Sequence, residues 1–428
     1  MKVRRLQWAA PQDLAGSVRG WFAASREPVD VSGIEAEVAA GGDQALLDLT
    51  RRFDATEAQD LRLDVSLDQA AAALQQVGPE VVQALEIAIS NVGQVAQAQL
   101  NGQQRVELPQ GQVITVGEAP VTAAGIYAPG GRASYPSSVI MGCVTARVAE
   151  VDRVVLATPP GPDGRVNPVT LAAASLCEVD EIFAIGGAQA IFALARGTET
   201  VQPVDVIAGP GNAWVQAAKK AVFGEVAIDS PAGPSDLTVV FDRETDLDLV
   251  ALDLCAQAEH GAESPLTAVA VNGGGLDSLE ARVKELAADQ PSVMDCRLAL
   301  IEAPSPQAAI DLANEIAPEH LQLMDEGSAA LASGVRTAGC VFTGPEAATA
   351  FGDYIAGSNH ILPTDGTGKS FGPVSPATFR RSTARVSLAS KSAGLLADPL
   401  NVLAKAEGLP VHGLSAMARK EDEQNSDS

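Results

Sequence analysis

Apolar side chains recur at three- and four-residue spacing from Gly42 to Phe53 and from Pro79 to Leu100, the period of helices that bury one face. The chain up to residue 120 therefore reads mostly as helix, closed by two short candidate strands, VELPQG and VITVGEAP. From Gly125 the period changes. Short β-branched runs end in Gly or Pro and each leads into an Ala-rich segment, which predicts successive βα units on a parallel sheet.

The clearest units are VDRVVLATPP with a helix after Asn167, DEIFAIGG with a helix from Ala188, and VDVIAGPG with a helix from Ala213. A second alternating region has strands at DLTVVF, LTAVAV, LALIEA, LQLM and GCVFTG, and helices over Leu247 to His260, Leu276 to Ala288 and Gln307 to Ile316. The expected fold is α/β: two similar doubly wound, incomplete Rossmann-like domains with helical N-terminal and C-terminal segments for dimerisation. Its expected boundaries are 1–20 for an N-terminal helical segment, 125–235 for one α/β domain, 21–124 with 236–375 for the other, and 376–428 for a helical C-terminal arm. Helix-like spacing runs from Pro376 to Leu403, and the final MARKEDEQNSDS is polar enough to fray.

A chain of 428 residues exceeds one ordinary core, and 46% hydrophobic residues with 4% aromatics suit helices packed over Val- and Ile-rich strands. The formal charge of −25 argues against nucleic acid and anionic membrane as partners. No stretch approaches the apolar length of a membrane span, and Lys2, Arg4 and Arg5 are not followed by the apolar run of a secretory signal. Five cysteines, Cys143, Cys177, Cys255, Cys296 and Cys340, are odd in number and widely spread, which reads as reduced core thiols of a cytoplasmic protein.

Only four histidines are present, His260, His320, His360 and His412, so each can be weighed by its neighbours. Gln257 and His260 stand three apart at the end of the helix from Leu247, on one face, where they either grip a single ion or lie idle on the surface. Further ligands for an ion would come from Glu319, Asp353 or Glu407, each near a histidine, and zinc accepts such a mixture of nitrogen and oxygen. Adjacent Glu319 and His320 open a strand, where neighbouring side chains diverge and can serve separate proton transfers; the alternative is a solvated Glu319 beside a hydrogen-bonded core histidine.

Three loops follow consecutive strand ends: Tyr127 with Pro129, Gly130 and Gly131; Gly186 and Gly187 with Gln189; and Gly209, Pro210, Gly211 and Asn212. Together they would line one sheet edge, with backbone amides at helix starts suited to anions, or they are simply tight βα turns. The dinucleotide fingerprint G-x-G-x-x-G is absent, since position 214 is Trp. TDGTGKS, Thr364 to Ser370, resembles a phosphate loop only superficially, because Pro363 stands where its first glycine belongs.

AGIYAPGG, IGGAQAIFALARGTE, DVIAGPGNAWV, DSPAGPSD, QAEHG, PEHLQL and GDYIAGSNHILPT, in this order and spacing, closely resemble histidinol dehydrogenase from about Gly125 to Pro363. The resemblance implies a zinc enzyme that uses two NAD molecules in succession to take L-histidinol through L-histidinal to L-histidine, the last step of histidine biosynthesis. It implies zinc ligands at Gln257, His260, Asp353 and His412, and an acid–base pair at Glu319 and His320. Substrate would contact Ser235, Gln257, His260, His320, Asp353, Glu407 and His412, and NAD would contact Tyr127, Gln189 and Asn212. On this reading 125–235 is the NAD-binding domain and 21–124 with 236–375 the zinc and substrate domain. The resemblance also implies a cytoplasmic homodimer whose C-terminal arm carries Glu407 and His412 into the partner's site. His360 is expected to support Asp353 or a neighbouring loop.

Three other readings use the same residues. A zinc hydrolase would employ Glu319 to activate metal-bound water, or the substrate would be another small imidazole or amino alcohol. A catalytically silent α/β ligand-binding protein would leave the histidines in structural roles.

Overall fold

The computed structural model describes residues 1–24, 28–130, 133–290 and 293–420. The chain begins with β1 (Lys2–Leu6), α1 (Pro11–Ala23), α2 (Ser32–Phe53), β2 (Asp64–Val65), α3 (Leu67–Ala73) and α4 (Pro79–Ala98), then a hairpin of β3 (Gln104–Glu107) and β4 (Val113–Pro120). Four βα units follow: β5 (Ala123–Tyr127) and α5 (Pro136–Val148), β6 (Arg153–Thr158) and α6 (Pro168–Leu176), β7 (Glu181–Ala184) and α7 (Gly187–Arg196), β8 (Val206–Ala208) and α8 (Ala213–Val222), ending in β9 (Ala227–Ile228). The pattern then repeats through β10 (Leu237–Phe241), α9 (Leu247–Ala258), β11 (Pro265–Val271), α10 (Leu276–Asp289), β12 (Arg297–Ala303), α11 (Pro306–Ile316), β13 (His320–Leu323), α12 (Glu326–Ala329), β14 (Cys340–Thr343) and α13 (Thr349–Tyr354). The last elements are β15 (Arg380–Ser387), α14 (Ser390–Ala406) and α15 (Pro410–Met417).

Two six-stranded sheets result, ordered β2-β7-β6-β5-β8-β9 and β1-β12-β11-β10-β13-β14. Leaving out the outermost β1 and β2, both run third, second, first, fourth, fifth in chain order, the order of a doubly wound half. Their central strands are parallel and buried on both faces, which is why β5 and β10 read as continuous apolar runs. Helix α5 is buried nearly all round, so it shows no amphipathic stripe.

The expected boundaries need correction. Helices α3 and α4 share a core with the first sheet, Ala70, Leu85 and Val92 packing with Ala124 and Ile126. Helix α2 likewise packs Leu46 and Leu49 against Val155 and Ile191, so residues 32–98 join the first sheet and not the second. Both sheets belong to one unit, Met1–Gln99 with Val121–Phe379; a second unit comprises Leu100–Pro120 and the chain from Arg380 onward.

Residues 1–20 hold β1 as well as α1, with β1 adding a parallel edge beside β12. Within 376–403, the expected continuous helix gives way to β15, which pairs antiparallel with β4. Most side chains of β1 and β15 are exposed, so neither strand carries the apolar alternation that would reveal it. The helix expected from Gly42 starts earlier, at Ser32, and kinks at Gly42 (φ 51°, ψ −134°). That left-handed residue frees the Asp43 N–H to donate to Glu199 at 2.8 Å. Cys143, Cys177, Cys255 and Cys296 are buried, Cys340 is half-buried, and all five thiols are free. No helix among the described residues is long and apolar enough to cross a membrane. The polar tail from 421 lies outside the described residues, as does Gly131.

Candidate active site

A short link, Asp229 to Asp236, carries the chain from the carboxyl end of β9 to the amino end of β10. The carboxyl edge of the first sheet is thereby brought against the amino edge of the second. Asp229 anchors the link: it accepts from the Gly209 N–H at 2.9 Å and forms a buried ion pair with Lys219, whose Nζ also donates to the Gly209 carbonyl at 3.0 Å. Gly209 (φ 133°) lies so close to the Tyr127 carbonyl that no Cβ fits there. Further along, the Thr364 hydroxyl exchanges hydrogen bonds with the backbone of Gly233.

Asp236 organises the amino edge of the second sheet. Its N–H donates to Glu319 Oε2 at 2.9 Å, its Oδ1 accepts from the Glu319 N–H at 3.0 Å, and its carbonyl accepts from His320 Nδ1 at 3.1 Å. These contacts exist because Leu237 and His320 are paired in register on β10 and β13, which puts the preceding residues side by side. The Ser235 hydroxyl donates to Glu319 Oε2 and accepts from Gln257 Nε2 at 2.7 Å. Glu319 is 5% exposed and His320 2%, so the solvated Glu319 of the structural alternative is not what the fold produces.

His320 Nε2 faces Asp353 Oδ1 at 3.2 Å, and Nδ1 stands 3.5 Å from Glu319 Oε2. Burial opposes charge on the imidazole, yet the two carboxylates outweigh it and lift His320 to about 9. Burial pushes Glu319 above its ordinary value, and burial with the Glu319 charge pushes Asp236 up to about 8. Asp353 goes the other way: burial would raise it, but the His320 hydrogen bond and charge hold it low.

His360 supports Asp353 from behind. Its Nδ1 lies 2.6 Å from the Asp353 carbonyl and its Nε2 3.1 Å from the Ser138 hydroxyl on α5. Burial pushes His360 below its ordinary value, so it is neutral; Nδ1–H donates to the carbonyl and Nε2 accepts from Ser138. A line of contacts thus joins α5, which follows β5 of the first sheet, to His320 on the second.

Gln257 occupies the last turn of α9 and is buried, while His260 lies just beyond the helix end and is exposed; the His260 N–H donates to the Gln257 carbonyl at 3.2 Å. His260 is near enough to Asp353 for its charge to act there. Gln257 Nε2 is engaged with Ser235, which leaves the amide oxygen as the atom that could hold an ion. One amide oxygen, one imidazole and one carboxylate suit zinc chemically, although no cluster of three or more His, Cys, Asp or Glu stands ready for a metal among the described residues. Glu407 caps α14 and His412 lies on α15, both exposed and both in the second unit.

At the carboxyl edge of the first sheet, the buried Tyr127 hydroxyl accepts from the Gly187 N–H at 3.1 Å. Asn212 is the N-cap of α8, its Oδ1 accepting from Trp214 and Val215, which leaves its amide N–H groups for a ligand. Gln189 lies in the first turn of α7, 1% exposed. The TDGTGKS segment follows no strand and forms only a short 3-10 turn, with Lys369 paired to Glu315 at 2.9 Å.

Sequence reasoning singled out Ser235 and passed over Asp236 and Ser138. The Ser-Asp pair directly before an apolar strand was the available signal for Asp236; Ser138, inside an apolar helix, carries none.

A buried carboxylate and imidazole at the meeting edges of two largely parallel sheets define an α/β enzyme equipped for proton transfer. A family model described as histidinol dehydrogenase matches residues 23–420. A histidinol dehydrogenase of Synechococcus sp. is 41% identical over 397 residues, 89% of both chains, and one of Nitrosomonas europaea is 40% identical over 400 residues, 91% of both. The crystal structure of histidinol dehydrogenase from Elizabethkingia anophelis superposes with a TM-score of 0.89 at 30% identity over 98% of both chains. The chain belongs to the histidinol dehydrogenase family.

Proposed function

We propose that this enzyme oxidises L-histidinol through L-histidinal to L-histidine with NAD as hydride acceptor, in the cytoplasm, as the closing step of histidine biosynthesis. The observation that carries the reading is the buried Glu319–His320 pair, whose two functional ends are held by different partners.

His320 donates through Nδ1 to the Asp236 carbonyl, which directs Nε2 at the substrate's alcohol proton. It acts as base once Asp353 turns to another partner, because the contact that holds a proton on Nε2 is then broken. Glu319 Oε2 is already taken by Ser235 and the Asp236 amide, so Oε1 is the oxygen that draws a proton from the water adding to the aldehyde. The hydrate so formed is again an alcohol, and His320 takes its proton in the second oxidation.

Gln257, His260, Asp353 and, from the C-terminal arm, His412 are the residues that would hold zinc. Zinc when bound supplies a Lewis acid that fixes the substrate's imidazole and amino groups. Ser235, Gln257, His260, His320, Asp353, Glu407 and His412 surround the substrate, and Tyr127, Gln189 and Asn212 contact NAD, which when bound takes up hydride. The second unit supports a homodimer with exchanged arms: its helices leave Leu395, Val402, Leu403, Val411 and Leu414 exposed, an apolar face of the kind that seeks a partner.

The test is NADH formation by zinc-loaded protein supplied with L-histidinol. Two NADH per histidinol, lost in His320→Ala, is the expected result; no NADH with histidinol and zinc both bound overturns the reading.

A further inference from the structure

Two polar atoms at the carboxyl edge of the first sheet are buried without a hydrogen-bond partner among the described residues, Asp54 Oδ2 and Gln189 Nε2. Both border the Gly186–Gly187 turn. Asp54 closes α2, and its Oδ2 lies 3.1 Å from where a Cβ on Gly186 would stand. A Cβ on Gly187 (φ 65°) would lie 2.7 Å from Gln189 Oε1 and 3.4 Å from Nε2. A Cβ on Gly186 would also meet the Pro159 side chain at 2.5 Å, so the turn is closely packed, with the unused acceptor beside its first glycine and the unused donor beside its second. Buried polar atoms are seldom left unpaired, because the lost hydration is not recovered. A ligand group that donates to one and accepts from the other would satisfy both, and a hydroxyl does so. A phosphate offers acceptors alone, and its charge is repelled by the carboxylate.

Position narrows the choice. The hydride-accepting ring must lie by His320, which Asp353, His360 and Ser138 tie to α5, directly after β5. Gly186 follows β7, two strands along the sheet, about 10 Å away at the usual strand spacing. The far half of a dinucleotide reaches that point. We infer that Asp54, with Gln189, forms a subsite for a hydroxyl of the adenosine ribose of NAD and excludes a 2′-phosphate there. The inference rests on the NAD use proposed above. Burial lifts the Asp54 carboxyl to about 6, so it is ionised and accepting at neutral pH.

The experiment compares the full-length protein with Asp54→Asn and Asp54→Ser, measuring NAD and NADP binding by calorimetry, kinetic constants with each nucleotide, and melting temperature. In both variants KM for NAD is expected to rise about tenfold, more than kcat falls, and the preference for NAD over NADP to shrink about tenfold. Wild type that binds NAD, with KM and preference unchanged in both variants, overturns the subsite and leaves the NAD reading intact. A lowered melting temperature with unchanged preference overturns it too and makes Asp54 a structural cap. Wild type that binds no NAD overturns both.

Discussion

His320 Nε2 stands 3.2 Å from Asp353 Oδ1, so the imidazole at the start of β13 is held by a carboxylate from α13. The same carboxylate is the one proposed for zinc. The proposed base and the proposed zinc site therefore share Asp353 as a partner, and what positions Asp353 governs both.

His360 and Ser138 do that positioning. His360→Ala removes the donor to the Asp353 carbonyl, and zinc affinity is expected to fall about 10- to 100-fold, with kcat reduced in parallel. Ser138→Ala breaks only the outer link and has a smaller effect in the same direction. Zinc content after titration with a chelator measures both; unaltered retention in His360→Ala would remove this role.

Glu319→Gln keeps the shape of a buried side chain while removing the water-activating oxygen. The second oxidation is expected to slow by about 10²- to 10⁴-fold and the first much less, so an aldehyde-trapping reagent drives NADH per histidinol from two towards one. Equal slowing of both halves would assign Glu319 to positioning alone.

Arm exchange predicts complementation. His320→Ala and His412→Ala are each inactive as pure dimers. A hybrid dimer has one site with both defects and one site with neither. Random remixing after reversible dissociation is expected to restore about a quarter of wild-type activity, whereas arms that stay on their own subunit restore none.

Asp54 gives a pH-dependent stability effect. Its folded value, about 6, exceeds the ordinary 3.8, so the folded chain holds this proton more tightly than the unfolded chain. Stability contributed by the protonated group is present in full below about 4 and is lost as pH rises through 6. Asp54→Asn is expected to melt above wild type at about pH 8, with the gap closing towards pH 5. A variant less stable at pH 8 would show that the charge is satisfied in the fold.

The alternation of apolar runs with Gly- and Pro-terminated loops determined the parallel sheets, because a strand buried on both faces must be apolar throughout. Spacing also placed Gln257 and His260 together at a helix end and Glu319 beside His320 at a strand start. Strands β1 and β15 were illegible, since their pairing is made by backbone atoms and their side chains face solvent. The membership of α2 to α4 was equally hidden, because an apolar stripe says that a helix packs and not on which sheet.

Tertiary structure alone decided which strand ends meet. A βα pattern points to the carboxyl edge of each sheet, yet Glu319 and His320 open β13 at its amino edge, brought against the first sheet by the link from Asp229 to Asp236. Ser138 and His360, 222 positions apart, meet only because that edge folds back on α5. Asp54 reaches the Gly186 turn for a similar reason, as α2 packs on the first sheet. Local periodicity reports which face of an element is buried; the partners across that face depend on chain connectivity and packing, which act over distances that periodicity does not encode.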